Sequence, residues 1–410
     1  MDRRHLRFRR KRPGGLVAAA CLALRALAYG SVARAQGTPY LVRDIEQRPN
    51  GGAVAVRSIG AVGERVFFAG NDGVHGFELW TSDGSEAGTR LVKDIRPGPG
   101  GDVITDFTAV GNAVFFVVDD GVHGRELWTS DGTEDGTHLV RDVAPGRAAA
   151  DPRHLRAFDD LLFFVANDGV HGSELWSSDG TAEGTSLVAD LRPGADGSVP
   201  EGLVAFGDGV LFSAHDGATG REPWRADAAS GAVRVADVRP GVPGSRPTDL
   251  VVAGDLVFFT AATSDVDGAQ LWATDGTAAG TYRVSDMTGE FGPGNDLRIG
   301  PTAVIGDTLF FVTAFDDGRG AALWRSDGTE DGTLLVADLK SFRCSDEFRA
   351  MVAMGDRLML VARSPGHDDE LWISDGTAAG TRMVKDIYPG FPGGRPGSMT
   401  VAGGVLFFAA

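Results

Sequence analysis

Short apolar runs recur along the whole chain, each four to six residues long and each closed by a turn. Val114-Phe115-Phe116-Val117-Val118 is one such run and Phe107-Thr108-Ala109-Val110 is another. β-branched and aromatic residues at this density predict strands. The turns between them are Gly111-Asn112, Asn71-Asp72-Gly73 or Asp83-Gly84 in type. Asp-Gly and Gly-Asn are hairpin signals because Gly reaches positive φ without steric cost. After residue 35 no stretch of 12 residues carries a 3.6-residue period, so no helix is predicted.

The runs repeat in register. Trp80, Trp128, Trp176, Trp224, Trp272, Trp324 and Trp372 are the seven tryptophans of the chain, spaced 48, 48, 48, 48, 52 and 48 apart. A fixed period in this range signals a solenoid, a propeller or an array. Each unit holds four strand signals: A, like Phe107–Val110; B, like Val114–Val118; C, the Glu-Leu-Trp run; and D, like Leu139-Val140-Arg141-Asp142-Val143. Four antiparallel strands per unit without a helix predict blades of an all-β β-propeller, whereas β-solenoid repeats are shorter. The A–B, B–C and C–D links are short and the D–A link is long, so A is predicted innermost and D outermost. D-type strands number eight, from Tyr40–Ile45 to the run near Met383. A- and B-type strands also number eight, and C-type strands seven. The expectation is an eight-bladed ring with an incomplete last blade. Seven blades with terminal strands left over is the alternative.

Composition narrows the class. Lys and Arg total 39 against 56 Asp and Glu, a net charge of −17, which argues against nucleic acid as a partner. Residues 1–35 read as a secretory signal peptide. A basic segment holds Arg3, Arg4, Arg7, Arg9, Arg10, Lys11 and Arg12, an apolar run spans Leu16–Val32, and Ala33-Arg34-Ala35 is the exit. Arg25 interrupts that run and disfavours an anchor, so no membrane span is expected after residue 35. Residues 36–410 then form one propeller domain, secreted or at the cell surface and monomeric. That segment carries 30 Lys and Arg against 55 Asp and Glu, a net charge of −25, with Cys344 as its single thiol.

Glu-Leu-Trp-x-Ser/Thr-Asp-Gly-Thr, then x-x-Gly-Thr, then Leu-Val-x-Asp-Ile, resembles the bacterial ELWxxDGT repeat family of secreted or surface-associated, hyalin-like proteins. The likeness runs through residues 37–410 and recurs at Asp131-Gly132-Thr133, Asp179-Gly180-Thr181, Asp275-Gly276-Thr277, Asp327-Gly328-Thr329 and Asp375-Gly376-Thr377. The fourth unit departs at Glu222-Pro223-Trp224-Arg225-Ala226-Asp227 and the sixth at Ala322-Leu323-Trp324. The resemblance implies export and a repeat architecture, and no catalytic residues.

Repeat-equivalent residues are too alike to form an enzyme site, which needs dissimilar groups. The tryptophans read as packing anchors between blades rather than sugar platforms. His75, His123 and His171 lie on equivalent turns and do not converge on a metal. The acidic turns lack the D-x-D-x-D-G spacing, so calcium is the one ion considered and no cofactor is otherwise expected. The departures from the repeat are the better candidates. Loop 289–300 holds Glu290, Asp296 and Arg298, and loop 340–349 holds Arg343 and Asp346. Both are D–A loops, which share one face with the B–C loops and predict a ligand surface for a protein or a glycan, so the expected role is a binding or scaffolding module at the cell surface or outside the cell. The rival is a hydrolase or lyase of the propeller type acting on an extracellular polysaccharide. It requires dissimilar carboxylates or His on the inner strands, and these read as nearly all apolar at Ser58–Ala61, Phe107–Val110, Leu203–Phe206 and Leu250–Ala253.

Overall fold

Consecutive phenylalanines on strand B explain how the sheets stack. Side chains alternate faces along a strand, so Phe-Phe sends one ring to each side. Phe116 packs with Phe67, Leu79 and Val92 of the preceding unit, whereas Phe115 packs with Leu162, Phe164 and Trp176 of the following one. Phe164 and Phe163 divide in the same way between the units before and after theirs. A sheet buried on both faces needs apolar rings without a hydroxyl, which accounts for 23 Phe against four Tyr.

The computed structural model describes residues 42–45, 59–99, 104–265, 268–285, 299–315, 320–339, 350–364, 367–387 and 396–409. It contains seven four-stranded antiparallel meanders and one two-stranded sheet. Their strands run in sequence order, from Ile59–Val62, Arg65–Asn71, Phe77–Ser82 and Arg90–Lys93 in blade 1 to Gly397–Ala402 and Val405–Ala409 in blade 8. Each first strand touches the first strand of the next sheet, through all eight, which sets A at the axis and D at the rim. The molecule is an eight-bladed β-propeller with a partial last blade. Among the described residues no helix is long and apolar enough to cross a membrane.

The N-terminal segment corrects one expectation. Within Tyr40–Ile45, residues 42–45 are described and form no strand. They nevertheless occupy the place of an outer strand one blade before blade 1. Ile45 is buried against Phe68 and Trp80, as Ile95 is against Phe116 and Trp128 in the next interface. The Arg43 guanidinium donates to the Thr89 carbonyl, the Lys93 ammonium to the Thr137 carbonyl and the Arg141 guanidinium to the Thr185 carbonyl. In these three D segments one cation thus latches onto the C–D turn of the following blade.

The C–D turn consumes most of the polar residues in its motif. Asp131 Oδ1 accepts from Thr133 N (2.8 Å) and Thr133 Oγ1 (2.6 Å), Thr133 Oγ1 accepts from Gly136 N (3.0 Å), and the Ser130 and Thr137 hydroxyls pair at 2.7 Å. A Cβ on Gly136 would overlap the Asp131 carboxylate, which is why x-x-Gly-Thr ends the motif. At the opposite end of the blade, Gly220 has φ 76° and its Cβ position overlaps the backbone of Val242 and Gly244. Gly220→Ala is therefore expected to cost about 2 kcal/mol, from left-handed strain plus displacement of the crossover. A urea denaturation series on the two proteins measures it, and an unchanged midpoint refutes it.

Candidate functional site

The inner strands start further upstream than their apolar cores. Blade 2 strand A is Thr105–Val110, blade 3 Arg153–Phe158, blade 4 Glu201–Phe206 and blade 5 Thr248–Ala253. Each opens with a register shift against strand B, a β-bulge. The second residue of each bulge is left-handed: Asp106 (φ 58°), His154 (57°), Gly202 (65°), Asp249 (57°), and Ser398 (51°) in blade 8. Asp and His are among the non-Gly residues that tolerate this region. These positions are exposed, and lie where strand A enters from the D–A loop. They ring the mouth of the axis on the face shared by the D–A and B–C loops. The expectation of nearly all-apolar inner strands is corrected here. It covered the strand centres and omitted the bulges, whose residues look like loop until the register is known.

Blades 2 to 5 make this mouth chemically uneven. Arg125 heads strand C of blade 2, donates to Thr105 Oγ1 at 2.9 Å and lies 3.5 Å from Asp151. Arg221 heads strand C of blade 4, lies 3.5 Å from Glu201 and donates to the Ser213 carbonyl at 3.0 Å. Ser213 pairs with Glu201 across the strands, is fully buried, and its hydroxyl has no hydrogen-bond partner among the described residues. In blade 5 the equivalent pair, Thr248 and Thr260, joins hydroxyls at 2.7 Å, and Thr260 donates to Asp249 at 3.1 Å. From blade 3, Arg156 Nε donates to the Leu203 carbonyl at 2.9 Å. Partial shielding of the ring from water, with the nearby Arg153, holds the His154 imidazole below its ordinary pKa, against the opposing charges of Glu201 and Asp106. The ring thus sits in the fields of two carboxylates and one guanidinium group.

The residues singled out from the sequence fall elsewhere. Glu290, Asp296, Arg298, Arg343 and Asp346, with Cys344, lie outside the described residues. Trp80, Trp128, Trp176 and Trp324 belong to buried clusters, and Trp224 and Trp372 pack against others. Trp272 stacks on Phe259 with ring centroids 6.4 Å apart. His75, His123 and His171 each pair with an Asp of their own turn, Nδ1 to Oδ2 at 2.7 Å, and the same Asp accepts two backbone N–H groups. That contact raises each imidazole pKa. Among the described residues no group of three or more His, Cys, Asp or Glu is placed to hold a metal. Asp142 Oδ2 accepts from Gly146 N at 3.1 Å, but Asp94 and Asp142 each keep a buried Oδ1 without a partner among the described residues.

A second set escaped the sequence reading altogether. The Glu of Glu-Leu-Trp is buried: Glu78, Glu126, Glu174, Glu222 and Glu370 expose at most 1%. Each carboxylate holds the crossover that follows its blade. Glu126 accepts from the N–H groups of Val143 (3.3 Å), Ala144 (3.0 Å) and Ala150 (3.3 Å), and Glu222 from Val238, Arg239, Ser245 N and Ser245 Oγ. Burial outweighs these donors and pushes Glu78 and Glu126 up to about 7. Gln270 and Ala322 stand at this position in units five and six, whose crossovers contain the divergent loops 289–300 and 340–349. That coincidence was visible in the sequence as a signal for the role of the Glu.

No family model matches the chain, and no curated protein matches it. Several solved structures do. A computationally designed protein, Ika8, aligns over 88% of this chain and 95% of its own at 15% identity with a TM-score of 0.49. A prolyl endopeptidase aligns over 80% of this chain and 49% of its own, at 10% identity and a TM-score of 0.47. The β-propeller domain of the Trilobed protease from Pyrococcus furiosus aligns over 81% and 98%, at 12% identity and a TM-score of 0.39. The chain spans about half the length of that prolyl endopeptidase and of oligopeptidase B from Leishmania major.

Proposed function

We propose that this propeller is an exported binding module of the ELWxxDGT type, acting at the cell surface or outside the cell. It meets a protein or a glycan on the face of the D–A and B–C loops. The observation that carries this reading is the ring of exposed, left-handed Asp106, His154 and Asp249 at the mouth of the axis. Non-Gly residues in that conformation cost free energy and concentrate where side chains must be aimed. The basic and apolar segment of residues 1–35 supports export. A glycan and protein-partner screen of the purified chain, with and without Ca²⁺, tests the reading. Saturable binding that Asp106→Ala/Asp249→Ala weakens at least tenfold supports it, and an empty screen sinks it.

The polysaccharide hydrolase or lyase reading gains one observation. A neutral His154 lies in the fields of Asp106 and Glu201 on adjacent blades, the dissimilar set that such chemistry needs. Release of reducing ends, or of unsaturated sugars absorbing in the ultraviolet, would establish turnover in its place.

A further inference from the structure

Of the eight described inner strands, Arg153–Phe158 in blade 3 is the one that contains Lys or Arg. It carries Arg153, His154 and Arg156 within four residues. The equivalents of Arg153 across the bulge pairs are Thr105, Glu201 and Thr248, and those of Arg156 are Thr108, Val204 and Val251. These places are filled elsewhere by Thr, Val or Glu, so two guanidinium groups are not a packing requirement. Arg153 has no ion pair or side-chain hydrogen bond among the described residues. Arg156 uses its Nε on Leu203 and leaves both terminal nitrogens unengaged there. Between them in sequence, His154 lies in the fields of Asp106 of blade 2 and Glu201 of blade 4, acceptors suited to hydroxyl groups.

From this we infer that strand A of blade 3 is a subsite for the carboxylate of a uronic-acid residue in a polysaccharide. The inference rests on the binding-module reading above and names its ligand class. Guanidinium groups are the preferred partners of carboxylates, through paired N–H donors. Carboxylates and a neutral imidazole beside them supply acceptors and a donor for the flanking sugar hydroxyls. The net charge of −17 does not decide the contact, because exposed charges beyond about 8 Å are screened at physiological salt. Asp106 and Glu201 do limit the anion: a densely charged polyphosphate meets them at every step, whereas a uronate offers one carboxylate per sugar.

Isothermal titration of the full chain with oligogalacturonate, its methyl ester and alginate oligomers tests this. The ester keeps the backbone and removes the charge. The expected result is at least tenfold tighter binding of a free acid than of the ester, abolished by Arg153→Gln/Arg156→Gln. The same preference persists in Arg225→Gln/Arg357→Gln, a charge-matched change at exposed positions away from the mouth. Circular dichroism melts of both double variants verify folding. Equal affinity for acid and ester overturns the inference, as does a preference that survives the blade 3 change. Absence of binding to every oligomer overturns it too, while the module reading then stands or falls by the wider screen.

Discussion

Glu126→Ala lowers the unfolding free energy by about 3–5 kcal/mol, the cost expected when several buried hydrogen-bonding groups lose one partner together. Its carboxylate collects three backbone N–H groups of the crossover between blades 2 and 3, and it is fully buried. Removing it strands those donors where water enters poorly, and frees the loop from which strand Arg153–Phe158 starts. Glu126→Gln retains one acceptor oxygen and loses about half as much. Urea denaturation followed by tryptophan fluorescence reads both, since Trp128 lies two residues along the same strand. A loss below about 1 kcal/mol for the alanine variant would sink this account of the motif.

Stability peaks on the acid side of neutrality, near pH 4.5. Glu78 and Glu126 are held up to about 7 in the fold and relax to about 4.5 when it opens. Between those values the folded chain keeps protons that the unfolded chain has lost, so unfolding free energy falls as pH rises. Each group contributes about 3 kcal/mol over that window, and Glu174 and Glu222 shift in the same direction. His75, His123 and His171, raised by their Asp partners, also stabilise below about 6.5 and lose that contribution as pH rises through their folded values. The turn aspartates Asp72, Asp120 and Asp131 act oppositely. Their lowered values contribute above about 4 and fail under stronger acid. Melting temperatures from pH 4 to 9 check the profile. A flat or rising curve from pH 5.5 to 8 refutes it, and Glu78→Gln/Glu126→Gln should flatten the slope.

Both predictions concern a residue that strand patterning does not flag. In Glu-Leu-Trp the Glu looks like an outward polar position, yet it is among the most buried residues of the blade. Its partners lie 16 to 24 residues downstream, in a loop whose fold depends on the neighbouring sheet. The mouth ring was missed for a related reason. Asp106, His154 and Asp249 precede the apolar runs, and the bulge that adds them to the inner strands is a property of pairing with strand B.

By itself the sequence determined the period, the four strands of each unit, their A-to-D order and the chemistry of the turns. All of these rest on interactions within about ten residues: alternation, Asp-Gly geometry and Asx hydrogen bonds. Tertiary structure alone decided what Glu126 holds, where residues 42–45 dock and which ionisable groups share the mouth of the axis. Those pairings join positions from 17 to 47 residues apart. Their strength comes from burial and from the mutual fields of charges on neighbouring blades, which exist only once the sheets have stacked.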